Sequence, residues 1–472
     1  MTKRILLALL LTWAPTTFAM NLQEYLNAVQ SKHRSLKALD IAKEAADDNR
    51  EAGDISLVPV LTMGASYLND RNPLGQFAAL GASETKITSY NLGLGKKFSS
   101  GTAVSVYAQT SEVENSGTVP ARYAKMGVGM LGVSLSQSLW KDFFGNSTRL
   151  RWERQDAATA TAKGSYDLQA RGLLVGAEAA YWNYIYAREN VGTAKGALER
   201  AKKIESWTRR RVNDGISDRA DLYQAQALVA SRQLFLISGQ DELESSTSAI
   251  RNFLSLEKAD AFPEVVGDIS QARPINALIE GNQGRVVLIE AYLASLEAKA
   301  RSIAAKEVED VYRPDLVLSG AYNTNALEKD MPEATANMSN TDRPTTKVAL
   351  NFTYMFDTDV KSAARNEARK LALAARLTAE QKLIDSETSW TELNRQYVEM
   401  SKRVEAAEAI SKLQNDRARA TNDLFNKGRT ITMSVVDAEQ DAATAELNLI
   451  RLKSEQRKME AQGRLFMMVE DK

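Results

Sequence analysis

His33 is the only histidine in a chain of 472 residues that contains no cysteine. A zinc site of histidine and cysteine ligands, or a serine–histidine–aspartate triad, would have to be built on that one imidazole. Its neighbours Lys32, Arg34 and Lys37 mark a polar helix, on which His33 is expected to be solvated. The run Gly127-Val128-Gly129-Met130-Leu131-Gly132 has the glycine spacing of a dinucleotide loop. Such a loop must open a helix, and this one runs into an alternating strand. Gly172 and Gly176 have the spacing with which membrane helices pair, but only inside a long apolar segment. Arg171 and Glu178 exclude that and leave close approach of two soluble helices. Met331 and Met338 fall in an expected loop, and nothing else there supports copper capture. Tyr181, Trp182, Tyr184 and Tyr186 are too crowded to share one helical face, so some pack between helices and others line a groove. No residue is placed for covalent chemistry, and no cofactor or metal is called for.

The elements that hold these residues come from a duplication. Pro59 in SLVPVLTMGASYLND matches Pro314 in VYRPDLVLSGAYNTN, 255 residues on, and Gly215 matches Gly428, 213 residues on. A solenoid unit has a period of roughly 20–50 residues, so this is a duplicated half-molecule. From Asp142 to Gly215 is 73 residues and from Asp357 to Gly428 is 71, whereas Pro59 to Asp142 is 83 and Pro314 to Asp357 only 43. The helical arms are held to a common length, and the extra residues lie in the strand-like part.

Residues 1–19 read as a secretory signal peptide, with Lys3 and Arg4, an apolar run over 5–11 and small residues Thr17 and Ala19 before the cut. The run is too short for a membrane helix, and no later stretch offers the roughly 20 apolar residues that one needs. Without cysteine there are neither disulfides nor an acylated N-terminus. The chain has 60 basic and 60 acidic residues, and loss of Lys3 and Arg4 leaves −2, which gives no signature of a nucleic-acid partner.

All nine prolines avoid 121–262 and 345–472, where each would cost a helix interior about 3 kcal/mol. After Gly428 the seam Val435, Ala438, Ala442, Ala445, Leu449, Leu452 steps 3, 4, 3, 4, 3, as in a heptad. After Gly215 the seam Leu222, Ala225, Val229, Arg232, Leu236, Gly239 is broken by one charge. Two antiparallel helical hairpins follow, with arms of about 65 residues, or about 100 Å at 1.5 Å per residue. Gly215 and Gly428 are suited to the φ > 0 turn that ends an arm. Ser217 or Asp218, and Thr430 or Thr432, are expected to cap the return helices.

Period-two alternation predicts strands over 58–68, 86–98, 102–112, 127–140, 315–325 and 346–356. Strands of ~9–11 residues with one apolar face are those of a membrane barrel. Six strands from one chain would leave open edges, which hydrocarbon does not tolerate, so several chains must close the barrel.

With the duplication, the segments GISDRADLYQAQA (215–227), GRTITMSVVDAEQ (428–440) and AEAAYWNYIYARENV (177–191) make the chain resemble the TolC family of outer-membrane efflux proteins over nearly all of its mature length. The resemblance implies an α+β membrane protein. In it a homotrimer closes one outer-membrane β-barrel, twelve-stranded in the family, which continues into a periplasmic α-helical barrel. It implies a passive export duct, of a tripartite efflux pump or a type I secretion system, set in outer-membrane lipid. Its partners would be a periplasmic adaptor (membrane-fusion) protein and an inner-membrane transporter. Gly215, Ile216 and Ser217, with Gly428, Arg429 and Thr430, align with the family's adaptor-docking turns. Asp221 and Asp437 align with carboxylates of the periplasmic gate. A further gate carboxylate falls on Ser434, the gate arginine on Thr430 with Arg429 beside it, and an aromatic gate position on Phe425.

The expected organisation is a signal peptide (1–19), a first repeat (20–262), a linker (263–280) and a second repeat (281–472). The hairpin 86–98 and 102–112, joined at 99–101, is what the first repeat has in addition. Either it enters the barrel, giving eighteen strands, or it folds into the mouth and leaves twelve. Threaded into the barrel, the hairpin places the loops 69–85 and 113–126 outside and the short turn inside, as in membrane barrels, which favours eighteen. An exported coiled-coil structural protein with a β head and no pore is the rival reading. An exported enzyme is disfavoured because strands and helices are segregated rather than alternating. Drug, metal and protein cargo are not distinguished.

Overall fold

The computed structural model describes residues 20–73, 75–279 and 284–469; the expected signal peptide and the end of the expected linker, residue 280, lie outside them. The chain forms two compact units, each drawing on both repeats: one from the described parts of 1–43, 164–292 and 382–472, the other from 44–163 and 293–381.

The second unit holds a six-stranded antiparallel sheet. Its strands are β1 (Val60–Asp70), β2 (Ala82–Lys97), β3 (Thr102–Gly117), β4 (Lys125–Ser138), β6 (Asp315–Glu328) and β7 (Thr345–Thr353), in the order β1-β2-β3-β4-β6-β7. The additional hairpin is therefore part of the sheet, between β1 and β4. The pairings Leu61↔Leu94↔Val106↔Val133↔Tyr322 and Thr62↔Gly93↔Tyr107↔Gly132↔Asn323 fix two faces. One carries Leu61, Met63, Leu92, Leu94, Val104, Val106, Val133, Leu135, Leu318, Val348, Leu350 and Phe352. The other carries Thr62, Ser66, Ser89, Asn91, Ser105, Gln109, Ser134, Ser136, Asn323 and Asn351. Cross-strand bonds between Ser66 and Ser89 (2.7 Å), between Ser105 and Ser134 (2.6 Å), and from the Tyr107 hydroxyl to Asn323 Oδ1 (2.5 Å) tie the polar face together. Among the described residues the outer edges of β1 and β7 have no strand partner.

Two short helices flank the sheet. α3 (Ala121–Ala124) accepts the Asn115 side-chain amide at the Tyr123 carbonyl, beside the buried Val113 and Met126 of the polar face. α7 (Met331–Asn337) lies on the apolar face, against Gly127, Gly129 and Thr110; Met331 begins it and Met338 follows it, where a plain loop was expected. Glycine makes this seat possible. A Cβ on Gly127 would stand 1.9 Å from the Asp330 carbonyl oxygen, and one on Gly129 2.4 Å from that of Ala334. The glycine run that imitated a dinucleotide loop is strand β4 with a notch for a helix. β2 and β3 are longer than the alternation predicted, because polar pairs such as Thr85 with Asn115 (2.7 Å) extend the hairpin. Gly101 (φ 73°) makes the short turn between them.

The first unit is built on the distal parts of α4 (Asn146–Asn213) and α8 (Thr358–Asn426), with the return helices α5 (Arg219–Phe253) and α9 (Thr432–Ala461). Ala225, Leu228, Arg232, Leu236 and Gly239 of α5 are buried, as are Val435, Ala438 and Ala442 of α9, so the broken seam is a seam nonetheless. α1 (Leu22–Lys32) packs Tyr25 and Val29 against Tyr181, Ile185 and Ile250. Tyr181 and Trp182 meet edge to face at 5.0 Å, and Tyr181 donates to the Val266 carbonyl. His33, between α1 and α2 (Arg34–Ala52), is not fully solvated as expected: its extended backbone turns the ring onto Phe253, 5.8 Å away. A Cβ on Gly176 would meet the Phe253 ring at 3.5 Å, whereas Gly172 faces open space, so only one of the pair serves close packing.

The segment after α5 is pinned by buried ions. Glu178, fully buried, accepts from Arg273 and from Arg464 Nε (3.0 Å). Glu460, also fully buried, accepts from Arg457 Nη1 (2.6 Å), the Arg273 amide (3.1 Å) and the Tyr397 hydroxyl (3.3 Å). A small sheet of β5 (Arg285–Leu288) with β8 (Phe466–Val469) packs Phe466 against Trp390. No helix among the described residues is long and apolar enough to cross a membrane.

Candidate functional site

The two arms end in the same turn. After α4, Gly215 N–H donates to the Val212 carbonyl (3.1 Å) and Ile216 N–H to that of Arg211 (2.8 Å). After α8, Gly428 N–H donates to Phe425 (2.9 Å) and Arg429 N–H to Leu424 (2.8 Å). Both are Schellman caps, in which a left-handed residue lets two amides fold back onto the last carbonyls. Gly215 (φ 74°) and Gly428 (φ 70°) supply it, and neither has anything within 4 Å of where a Cβ would stand. The tips are therefore glycine for backbone conformation and are open on their outer side. Ile216 is 65% exposed and Arg429 exposed, while Ser217 and Thr430 are half-buried.

The return helices start differently from expectation. Asp218 is the N-cap of α5, but its side chain makes no capping bond, and Ser217 donates instead to the Asp221 carboxylate (2.7 Å). The N-cap of α9 is Ile431, not Thr430 or Thr432. Thr432 is already helical, and its buried hydroxyl has no partner among the described residues. The extended residue that enters the helix is the apolar one between the two threonines.

Of the residues aligned with the gate, Asp437 is exposed and makes no ion pair among the described residues, Ser434 is half-buried, and Asp221 is half-buried and held by Ser217. Phe425 is 1% exposed and packs with Ile204, Leu228, Val435 and Val436 beneath the Arg211 guanidinium. The structure thus brings Phe425 into the core between the hairpins and leaves Asp437 on the surface.

A charged cluster crosses the hairpins above these residues. Glu439 of α9, nearly buried, accepts from Arg200 Nε of α4 at 2.8 Å. Arg232 of α5 is 5% exposed, its Nη2 has no partner among the described residues, and burial holds its pKa down against the pull of Glu439. Sequence reasoning registered Arg232 only as a flaw in the seam; Glu439, the residue that compensates it, carried no signal apart from its place one position beyond the seam residue Ala438. Among the described residues no group of three or more histidine, cysteine, aspartate or glutamate side chains could hold a metal ion.

No family model matches the chain. Toxin and drug export protein A of Aggregatibacter actinomycetemcomitans is 23% identical over 201 residues, an alignment spanning 42% of this chain and 42% of that protein. Solved structures match at far greater length. The outer membrane protein VceC of Vibrio cholerae aligns with a TM-score of 0.67 at 13% identity, over 94% of this chain and 95% of that one. The MtrE outer membrane channel of Neisseria gonorrhoeae, in its open state, gives 0.66 at 15% identity over 94% and 88%. The CmeC outer membrane channel of Campylobacter jejuni gives 0.65 at 15% over 94% and 85%. The chain has the fold of these outer-membrane channels, the fold that its resemblance to the TolC family implied.

Proposed function

We propose that three copies of this chain form a passive export duct, closing one β-barrel in the outer membrane and continuing through the periplasm as a helical barrel. The observation that carries this is the sheet. It has one apolar and one hydrogen-bonded polar face, and two edges that the described residues leave open. In hydrocarbon an open edge is not tolerated, and closure on further copies satisfies β1 and β7 together. Six strands per copy would make eighteen, wider than the family's twelve. Lys96 and Lys86 bound the apolar face of β2 and stand ten residues apart. At ~3.3 Å per residue and a tilt of ~40° that is about 25 Å of membrane, the height of a barrel's apolar band.

In this reading Gly215, Ile216, Ser217, Gly428, Arg429 and Thr430 meet a periplasmic adaptor that couples the duct to an inner-membrane transporter. Asp437 lines the narrow mouth in three copies, with Asp221, Ser434, Thr430, Arg429 and Phe425 around or behind it. The named export protein it partly aligns with handles toxin and drug, which favours neither class of cargo over the other here.

Single cysteines test the barrel, since the native chain has none. Cysteines replacing Val104 and Val106 should react poorly with a water-soluble maleimide in cells, and those replacing Ser105 and Tyr107 well. Light scattering in detergent should give a mass of three chains. Uniform reactivity along 102–112 returns the count to twelve, and a stable monomer with full β content removes the barrel.

A further inference from the structure

The apolar face of the sheet is not smooth. A groove of about 580 Å³ is sunk into it where β1, β2 and β3 meet the residue that follows α7. Its walls include Met63, Ala65, Tyr90, Leu92, Ala108 and Met338. The register places the five strand residues on the apolar face. Met338 comes over from the helix: its carbonyl accepts the Thr324 hydroxyl (2.5 Å), and its Cβ lies 3.0 Å from where a Gly129 Cβ would be. α7 itself is anchored by Thr335 to Thr110 (2.8 Å) and by the notch at Gly127 and Gly129. A helix thus overhangs the wall at the level where Leu92 and Ala108 give way to Thr88, Thr110 and Glu112.

From this geometry we infer a binding site for one acyl chain of a membrane lipid on each copy, lying in the groove beneath Met338. This rests on the apolar face being the membrane face. The groove sits inside the band that Lys96 and Lys86 delimit, and its walls are continuous with the rest of that band. Met63 is 75% exposed and Leu92 48% exposed, so among the described residues nothing covers them. A recess in a wall solvated by hydrocarbon fills with hydrocarbon, because water there would find few polar partners and an empty void forfeits dispersion contacts. Elsewhere on the face a chain touches the wall on one side only. In the groove it also meets Met338, whose flexible, polarisable side chain adapts to an irregular apolar partner. The glycines of β4 then have a function one step removed: they seat the helix that makes the site.

The test uses the full chain reconstituted in phosphatidylcholine–phosphatidylethanolamine vesicles doped with a phospholipid carrying a diazirine midway along one acyl chain. After irradiation, adducts are mapped by peptide. The expected result is a yield per residue at 63–65, 90–92 and 338 several-fold above that at Leu318, Val348 and Leu350, which are also exposed on the same face. Ala108→Trp, which fills the groove, and Met338→Ala, which removes its overhang, should each abolish the excess and leave Leu318 and Val348 unchanged. Equal yields over the whole face, or an excess that survives both substitutions, would overturn the site. Absence of adducts anywhere on the face would instead reject the membrane assignment on which it rests.

Discussion

Arg211 of α4 lays its guanidinium over the ring of Phe425 of α8, 5.5 Å from its centroid. Each residue also closes its own tip, since the Arg211 carbonyl accepts the Ile216 amide and the Phe425 carbonyl accepts that of Gly428. One contact therefore joins the last turns of both arms, so a movement of either tip is felt by the other.

Phe425→Ala is expected to cost about 3–5 kcal/mol, the usual loss for a fully buried aromatic. Arg211→Ala should cost much less, with a coupling of about 0.5–1 kcal/mol in the double-mutant cycle. Chemical denaturation followed by helical circular dichroism measures all three variants. Strict additivity would show that the stacking joins nothing.

The charged cluster predicts opposite signs for two neighbours. Arg232→Leu removes a buried guanidinium with an unpartnered Nη2 and completes the α5 seam, while Glu439 keeps Arg200. It should raise stability by about 1–2 kcal/mol, within the range seen when buried ions give way to packed apolar groups. Glu439→Ala removes the charged hydrogen bond to the half-exposed Arg200 and the carboxylate near the buried Arg232, and should cost about 1.5–3 kcal/mol. Thermal unfolding of the variants decides, and destabilisation by Arg232→Leu would mean that Arg232 is a needed partner of Glu439.

Burial pushes the Glu460 carboxyl above its ordinary range, against the pull of Arg457 on its own helix, Arg273 of the linker and the bonded hydroxyl of Tyr397 on α8. A folded pKa raised above the unfolded one stabilises fully below the unfolded value, 4.5, and that contribution is lost as pH rises through the folded value. Glu460→Gln abolishes this dependence. The unfolding midpoint of the native protein minus that of the variant should therefore fall between pH 4 and pH 8. A difference that grows with pH would show that the ion pair with Arg457 outweighs desolvation.

In the proposed duct three exposed copies of Asp437 would stand at a narrow mouth as a ring of like charge, which would attract cations and be screened by salt. Asp437→Asn is expected to lower cation selectivity, and Asp221→Asn to lower it less, because Ser217 already engages that carboxylate. Reversal potentials across a salt gradient are the measure; unchanged values in both variants would remove these residues from the gate.

The long helices, the six strands and the tip glycines were legible because each is written in a periodic or punctuating signal: proline-free heptads, alternation, and glycine where φ must be positive. α7 was not, since a seven-residue helix beginning Met331-Pro332 completes fewer than two turns, too few for a period to show. Its traces were the N-terminal signature of Asp330, Pro332 and Glu333 and the pair Gly127 and Gly129, which reads as a weak strand until the Asp330 and Ala334 carbonyls are seen against it. Ile431 as a cap was hidden for a related reason, because the threonines on both sides carry the usual capping chemistry. The contribution of Glu439 to Arg232 depends on how α4, α5 and α9 meet, which no single segment encodes.

The central claim, that this chain encloses a conduit, is tested most directly by single-channel recording. Purified full-length protein in a planar lipid bilayer should give discrete conductance steps, with each step arising from one trimer. Folded protein that inserts and leaves the bilayer silent, under conditions where Asp437→Asn and Asp221→Asn variants are silent too, would contradict the account and favour a structural protein with a β head and no pore.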